Sequence, residues 1–93
     1  MIIGKQIHEL IDKYLITPAD LGKEIGKKDY DDMANEINLL TEFPSDCGHE
    51  TLMKAVAIIK QWHGDEVFEI YYEKSPEMAP IRKILGNKVP ADL

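Results

Sequence analysis

The chain is short of several things, and each shortage removes a class of answer. A single cysteine, Cys47, excludes a disulfide within the chain and suits a reducing compartment. No apolar run approaches the roughly 20 residues that a membrane-spanning helix requires. The opening MIIGKQIHEL lacks the basic region and long apolar stretch of a secretion signal, so a cytoplasmic location is expected. The six glycines are scattered, which leaves no phosphate-cradling loop. Cations are scarce: 11 lysines and arginines face 17 acids, for a net charge of −6. Nucleic acid and anionic membrane are both polyanions, so neither is expected as a direct partner. The scarcity is sharpest from Asp29 to Met53. That stretch has no lysine or arginine and carries Asp29, Asp31, Asp32, Glu36, Glu42, Asp46 and Glu50.

What is present reads as an ordinary globular protein. With 93 residues, 44% apolar and 30% charged, one domain spanning 1–93 can build a modest core without metal or disulfide staples. Its centre should be His49–Trp62. At 100° per residue, Leu52, Met53, Ala55, Val56, Ala57, Ile58, Ile59 and Trp62 cover most of the circumference. Glu50, Lys54 and Gln61 gather in a narrow polar stripe, and Lys60 stands alone inside the apolar arc. A helix apolar nearly all round is a buried one.

Other helices should pack around it. Residues 4–15 carry Ile7, Leu10, Ile11, Tyr14 and Leu15 on one stripe. Thr17, Pro18 and Asp20 then look like the start of a short helix running to Ile25 and stopping at Gly26. Asp29 should cap a third helix of about 30–43, with Tyr30, Met33, Ala34, Ile37 and Leu40 facing inward. Pro44 to Gly48 breaks the chain before the central helix. Residues 66–72 are ambiguous. Phe68, Ile70 and Tyr72 alternate as in a short strand, whereas Val67, Ile70 and Tyr71 have helical spacing. Helix is favoured, because a lone strand leaves its backbone groups unpaired. Ser75-Pro76 opens a last helix with Met78, Ile81, Ile84 and Leu85, closed by Gly86, and 87–93 reads as a loose tail. The expected fold is all-α: a compact bundle of five or six short helices around a central buried one.

Candidate chemistry is thin, and no enzyme, cofactor or metal is expected. Residues 18–35 imitate a helix-turn-helix, but the second helix opens Asp29-Tyr30-Asp31-Asp32, acidic where phosphate contact needs cations. Cys47, ahead of a helix N-terminus and near His49, would be a nucleophile only with its thiol pKa lowered and a base aligned. Cys-x-His spacing alone supplies neither. His49 and His63 stand at opposite ends of one helix, about 21 Å apart at 1.5 Å per residue, too far to share an ion.

The third helix offers more. Asp32, Glu36, Leu39 and Phe43 follow at i, i+4, i+7 and i+11, and Asp29 joins their face. Acids that steer, with an exposed leucine and phenylalanine that anchor, have the layout of a protein-docking surface. The bland alternative packs Leu39 and Phe43 under the C-terminal segment. Tyr71 and Tyr72 are a second candidate anchor, more simply read as half-buried core.

Three local phrases carry a resemblance: Thr17-Pro18-Ala19-Asp20-Leu21, Thr41-Glu42-Phe43-Pro44-Ser45 after an acidic helix, and Ile59-Lys60-Gln61-Trp62. Together with small size, acidity and several helices, they resemble the colicin and pyocin DNase immunity family. That family's tyrosine-containing toxin-binding segment has no counterpart here. Asp46-Cys47-Gly48-His49 stands in its place, and Tyr71-Tyr72 falls later in the chain. The resemblance therefore implies a helical inhibitor of a nuclease toxin but assigns no binding residue.

The reading that follows is a small acidic protein-binding module, an inhibitor of immunity or anti-defence type. It would cover a basic surface of the kind that nuclease toxins and other nucleic-acid-binding proteins carry. Asp29, Asp32, Glu36, Leu39 and Phe43 would make the contact. The alternatives are a helix-turn-helix-like regulator acting through dimerisation and, third, a small thiol enzyme using Cys47.

Overall fold

The structure, a computed structural model, describes residues 4–16 and 27–89. The short helix expected over 18–25 lies outside the described residues. Among those described, the fold is all-α, with five α-helices and no strand.

Helix α1, Gly4–Leu10, runs straight into a π-helical turn, Ile11–Ile16. Ile7, Ile11 and Leu15 are fully buried. Residues four apart drift around an α-helix by about 40° per step, because 3.6 residues complete a turn. The wider π turn offsets that drift and keeps Leu15 in line with Ile7 and Ile11. Gly4 sits against the turn at Pro44–Asp46. A Cβ there would collide with the Pro44 carbonyl oxygen and lie 2.9 Å from that of Ser45 and 3.0 Å from that of Cys47. Only glycine permits so close a backbone approach.

Helix α2 spans Lys27–Leu40 and buries Met33 and Ile37. It begins two residues before Asp29, which therefore occupies the first turn rather than the cap, where an acid still complements the helix dipole. It also ends three residues before the expected 43. The Thr41 amide donates to the carbonyls of Ile37 (3.2 Å) and Asn38 (3.1 Å), and its hydroxyl donates to the same two at 3.3 Å. Those bonds satisfy late carbonyls of the helix and close it.

Helix α3, His49–His63, is the predicted centre. Leu52, Ala55, Val56 and Ile59 are fully buried, and Met53, Ala57, Ile58 and Trp62 are half-buried. It packs against the π turn, α2 and the two helices that follow. Lys60, alone inside its apolar arc, reaches out to Glu69 at 3.6 Å. Gly64, at φ +96°, ends α3 and turns the chain directly into α4, Asp65–Lys74.

Residues 66–72 are thus helix, and the strand alternative falls. The inward stripe also differs from Val67, Ile70 and Tyr71. Phe68 and Tyr72 are the buried pair, their rings 6.1 Å apart, while Val67 and Ile70 face outward. A 3₁₀ turn, Pro76–Met78, leads into α5, Ala79–Leu85. Ser75 caps the turn by accepting from the Glu77 amide at 3.2 Å. Gly86, at φ +109°, closes α5, as its position predicts.

This end of the molecule is tied by polar contacts. The Tyr72 hydroxyl donates to the Gly86 carbonyl at 2.8 Å, and Arg82 donates to the carbonyls of Tyr72 and Ser75 at 2.7 Å each. Val89 packs against the core.

Candidate functional site

Helix periodicity decides what α2 shows to solvent. With Met33 and Ile37 turned inward, Asp29, Asp32, Glu36 and Leu39 share an arc on the outer side, and all four are exposed. Leu39 is 73% exposed and Phe43 63%. The alternative in which both pack under the C-terminal segment is therefore excluded. Phe43 reaches the surface differently from the i+11 placement expected of it. Because Thr41 closes the helix, Phe43 lies beyond it in extended backbone (φ −117°, ψ 93°), immediately before the Pro44 turn. The five residues form one acidic helix arc with an aromatic beyond its C-terminal end.

Among the described residues, the three carboxylates of the arc, Asp29, Asp32 and Glu36, have no ion-pair partner. At the edge nearest α3, the Trp62 indole N–H donates to Glu36 Oε2 at 3.5 Å. Glu36, Gln61 and Trp62 line a small notch of about 230 Å³. Sequence reading assigned Trp62 to the core and Gln61 to a polar stripe, and so missed this feature. The available signal was weak: an indole at the last turn of a buried helix, where a half-exposed ring is common.

Cys47 is buried, and its Sγ lies 3.9 Å from the Phe43 carbonyl oxygen. Burial pushes its pKa up, and the charges of Asp46 and Asp12 push the same way. The thiol is held protonated, the opposite of what a nucleophile needs. His49 is exposed at the start of α3, and His63 is half-buried at its end. Among the described residues no group of three His, Cys, Asp or Glu could hold a metal ion, and no helix is long and apolar enough to cross a membrane.

The two tyrosines proposed as a second anchor are both engaged. Tyr72 is core, and the half-buried Tyr71 donates to Glu77 Oε2 at 2.9 Å. The exposed apolar residues of α4 are instead Val67 and Ile70. A larger cleft, about 420 Å³, opens between α1 and α5 over Leu10, Tyr14, Pro80 and Ile84. Lys13 lies above the Tyr14 ring at 5.2 Å from its centre. Among the described residues that line it, the cleft presents no pairing of nucleophile and base and none of the five α2-face residues.

Comparison of the chain with protein-family models, with curated proteins and with solved structures gives no match.

Proposed function

We propose that the chain is a protein-binding module whose α2 face covers a basic surface of another protein, as an inhibitor of immunity or anti-defence type would. One observation carries this reading. Two large apolar side chains, Leu39 and Phe43, stay in water beside three acids that have no ion pair among the described residues.

Single exposed apolar residues are commonplace on protein surfaces. A leucine and a phenylalanine next to a row of exposed acids have the composition of an interface, in which a few apolar anchors give affinity and charge gives rate and orientation. The mechanism would be occlusion. The spaced carboxylates of α2 take the place of a phosphate backbone on a nucleic-acid-binding site, and Leu39 and Phe43 fill apolar hollows at its rim. Chemistry by the chain itself is not required, which suits a buried, protonated Cys47.

Affinity capture from the native host's lysate tests the reading, using wild type and the double variant Asp32→Lys/Glu36→Lys at low and high salt. Both positions are exposed, so the variant should fold as the wild type does. The expected result is a basic, nucleic-acid-binding protein retained by the wild type alone and weakened by salt, since exposed charges are screened within about 10 Å at 0.1 M. Equal retention by both forms would show that the acids only solvate the helix.

A further inference from the structure

We infer that the notch between α2 and α3 is a receptor for one guanidinium group, contributed by an arginine side chain of the bound protein. The inference rests on the docking reading of the α2 face and specifies the chemistry at its inner edge.

The notch is lined by Glu36, Gln61 and Trp62. Each supplies a different contact that a guanidinium uses. By side-chain type, Glu36 brings a carboxylate for paired N–H donors, Trp62 an aromatic ring of the kind on which guanidinium groups stack, and Gln61 an amide that can accept. At about 230 Å³ the space suits the end of one side chain better than a drug-sized ligand, whose pockets begin near 300 Å³.

The carboxylate also accepts one long hydrogen bond, at 3.5 Å. Its bond from the indole N–H joins residues 26 apart in sequence, on two packed helices. A carboxylate accepts about four hydrogen bonds, and the indole supplies one. Acceptor capacity therefore remains for the fork of an arginine.

Among the described residues no lysine, arginine or histidine forms an ion pair with Glu36. On α3, Lys54 is paired with Glu50 at 3.4 Å and Lys60 with Glu69 at 3.6 Å. Anions are repelled by Glu36, and among the described residues lining the notch a metal ion would find a single carboxylate. Lysine fits less well than arginine, because an ammonium neither stacks on the indole nor forms a fork.

Trp62 is the only tryptophan, so the protein has one indole N–H resonance, and it lies in the notch. That resonance is followed by NMR in the full chain during titration with N-acetyl-arginine amide, its lysine counterpart, and the neutral isostere N-acetyl-citrulline amide. The signal should move saturably at millimolar arginine derivative, less with lysine, and not with citrulline. In Glu36→Gln the affinity should fall by about three- to tenfold, the range for a charged hydrogen bond at a partly screened site. Equal responses to arginine and citrulline, an unchanged response in Glu36→Gln, or no saturable response in the wild type would each overturn the assignment.

Asp32→Asn separates this inference from the docking reading. It removes a steering charge without placing a cation at i,i+4 to Glu36, so the arginine response should persist while capture of the partner falls. A wild type that captures its partner through Asp32 yet ignores arginine would retain the face and lose the receptor. An arginine response without capture would do the reverse.

Discussion

Helices α2 and α3 are neighbours of nearly equal length and use their side chains in opposite ways. In α3 the apolar residues run almost all round, and the structure meets that demand by packing other helices about it. Even its misplaced lysine has a partner, Glu69. In α2 a narrow stripe, Met33 and Ile37, serves the core, and the adjoining arc ends in a leucine left in water. The contrast separates two kinds of sequence constraint. Every inward residue of α3 is explained by its neighbours within the chain. The outward residues of α2 are not, and their composition directs attention to what lies outside it.

Mutations can break that contrast. The largest effect is expected in α3: Ile59→Ala leaves a cavity at a fully buried site and should cost about 2–5 kcal/mol, measurable by chemical denaturation. A loss below about 1 kcal/mol would mean that the centre of the core lies elsewhere.

An intermediate effect should follow from pH. Burial raises the pKa of Cys47 ahead of α3, of Tyr72 on α4 and, with help from Asp31, of Tyr30 on α2; Arg82 partly opposes the shift at Tyr72. Below the ordinary thiol value of 9.0 all three are protonated both folded and unfolded, so they add no pH dependence. Above it the unfolded chain releases its protons first, and stability declines as pH rises through 9.0 and then 10.0. Denaturation midpoints across that range should fall, and Cys47→Ala should remove the earliest part of the decline. A flat profile would contradict the burial of these groups.

The smallest change in stability belongs to the α2 face. Leu39→Ser/Phe43→Ser should shift folding by no more than about 0.5 kcal/mol, as exposed substitutions do, while reducing partner capture at either salt. A clearly destabilised double variant would show that these side chains serve the fold, and the contrast between the helices would disappear.

Much of this architecture could be read from local signals. The central helix was expected over 49–62 and is observed over His49–His63, because a dense apolar run between Gly48 and Gly64 leaves few other choices. Ser75-Pro76 and Gly86 marked the ends of the last segment for equally local reasons. The failures involve relations between elements. Thr41 looks neutral in sequence, yet its hydroxyl and amide together end α2, which moves Phe43 off the helix arc. The inward face of α4 falls on Phe68 and Tyr72 and not on Val67 and Ile70, a choice of phase that helical spacing alone leaves open. The notch joins Glu36 and Trp62 across 26 residues, a pairing to which no periodicity points. Exposure of Leu39 depends on what the C-terminal segment covers, which no local signal fixes.

Gly4 has a consequence of another kind. Three carbonyl oxygens of the 44–47 turn crowd the position where its side chain would begin. Any chain that shares this fold must keep a residue without a side chain there or move that turn, however freely its acidic surface changes. Relatives too distant to be found by overall similarity could therefore be sought by a two-part signature: a bare backbone position early in the first helix, and a proline-led turn about 40 residues later that closes upon it. Such a pattern would follow ancestry through the scaffold, while the surface residues diverged with whatever they meet.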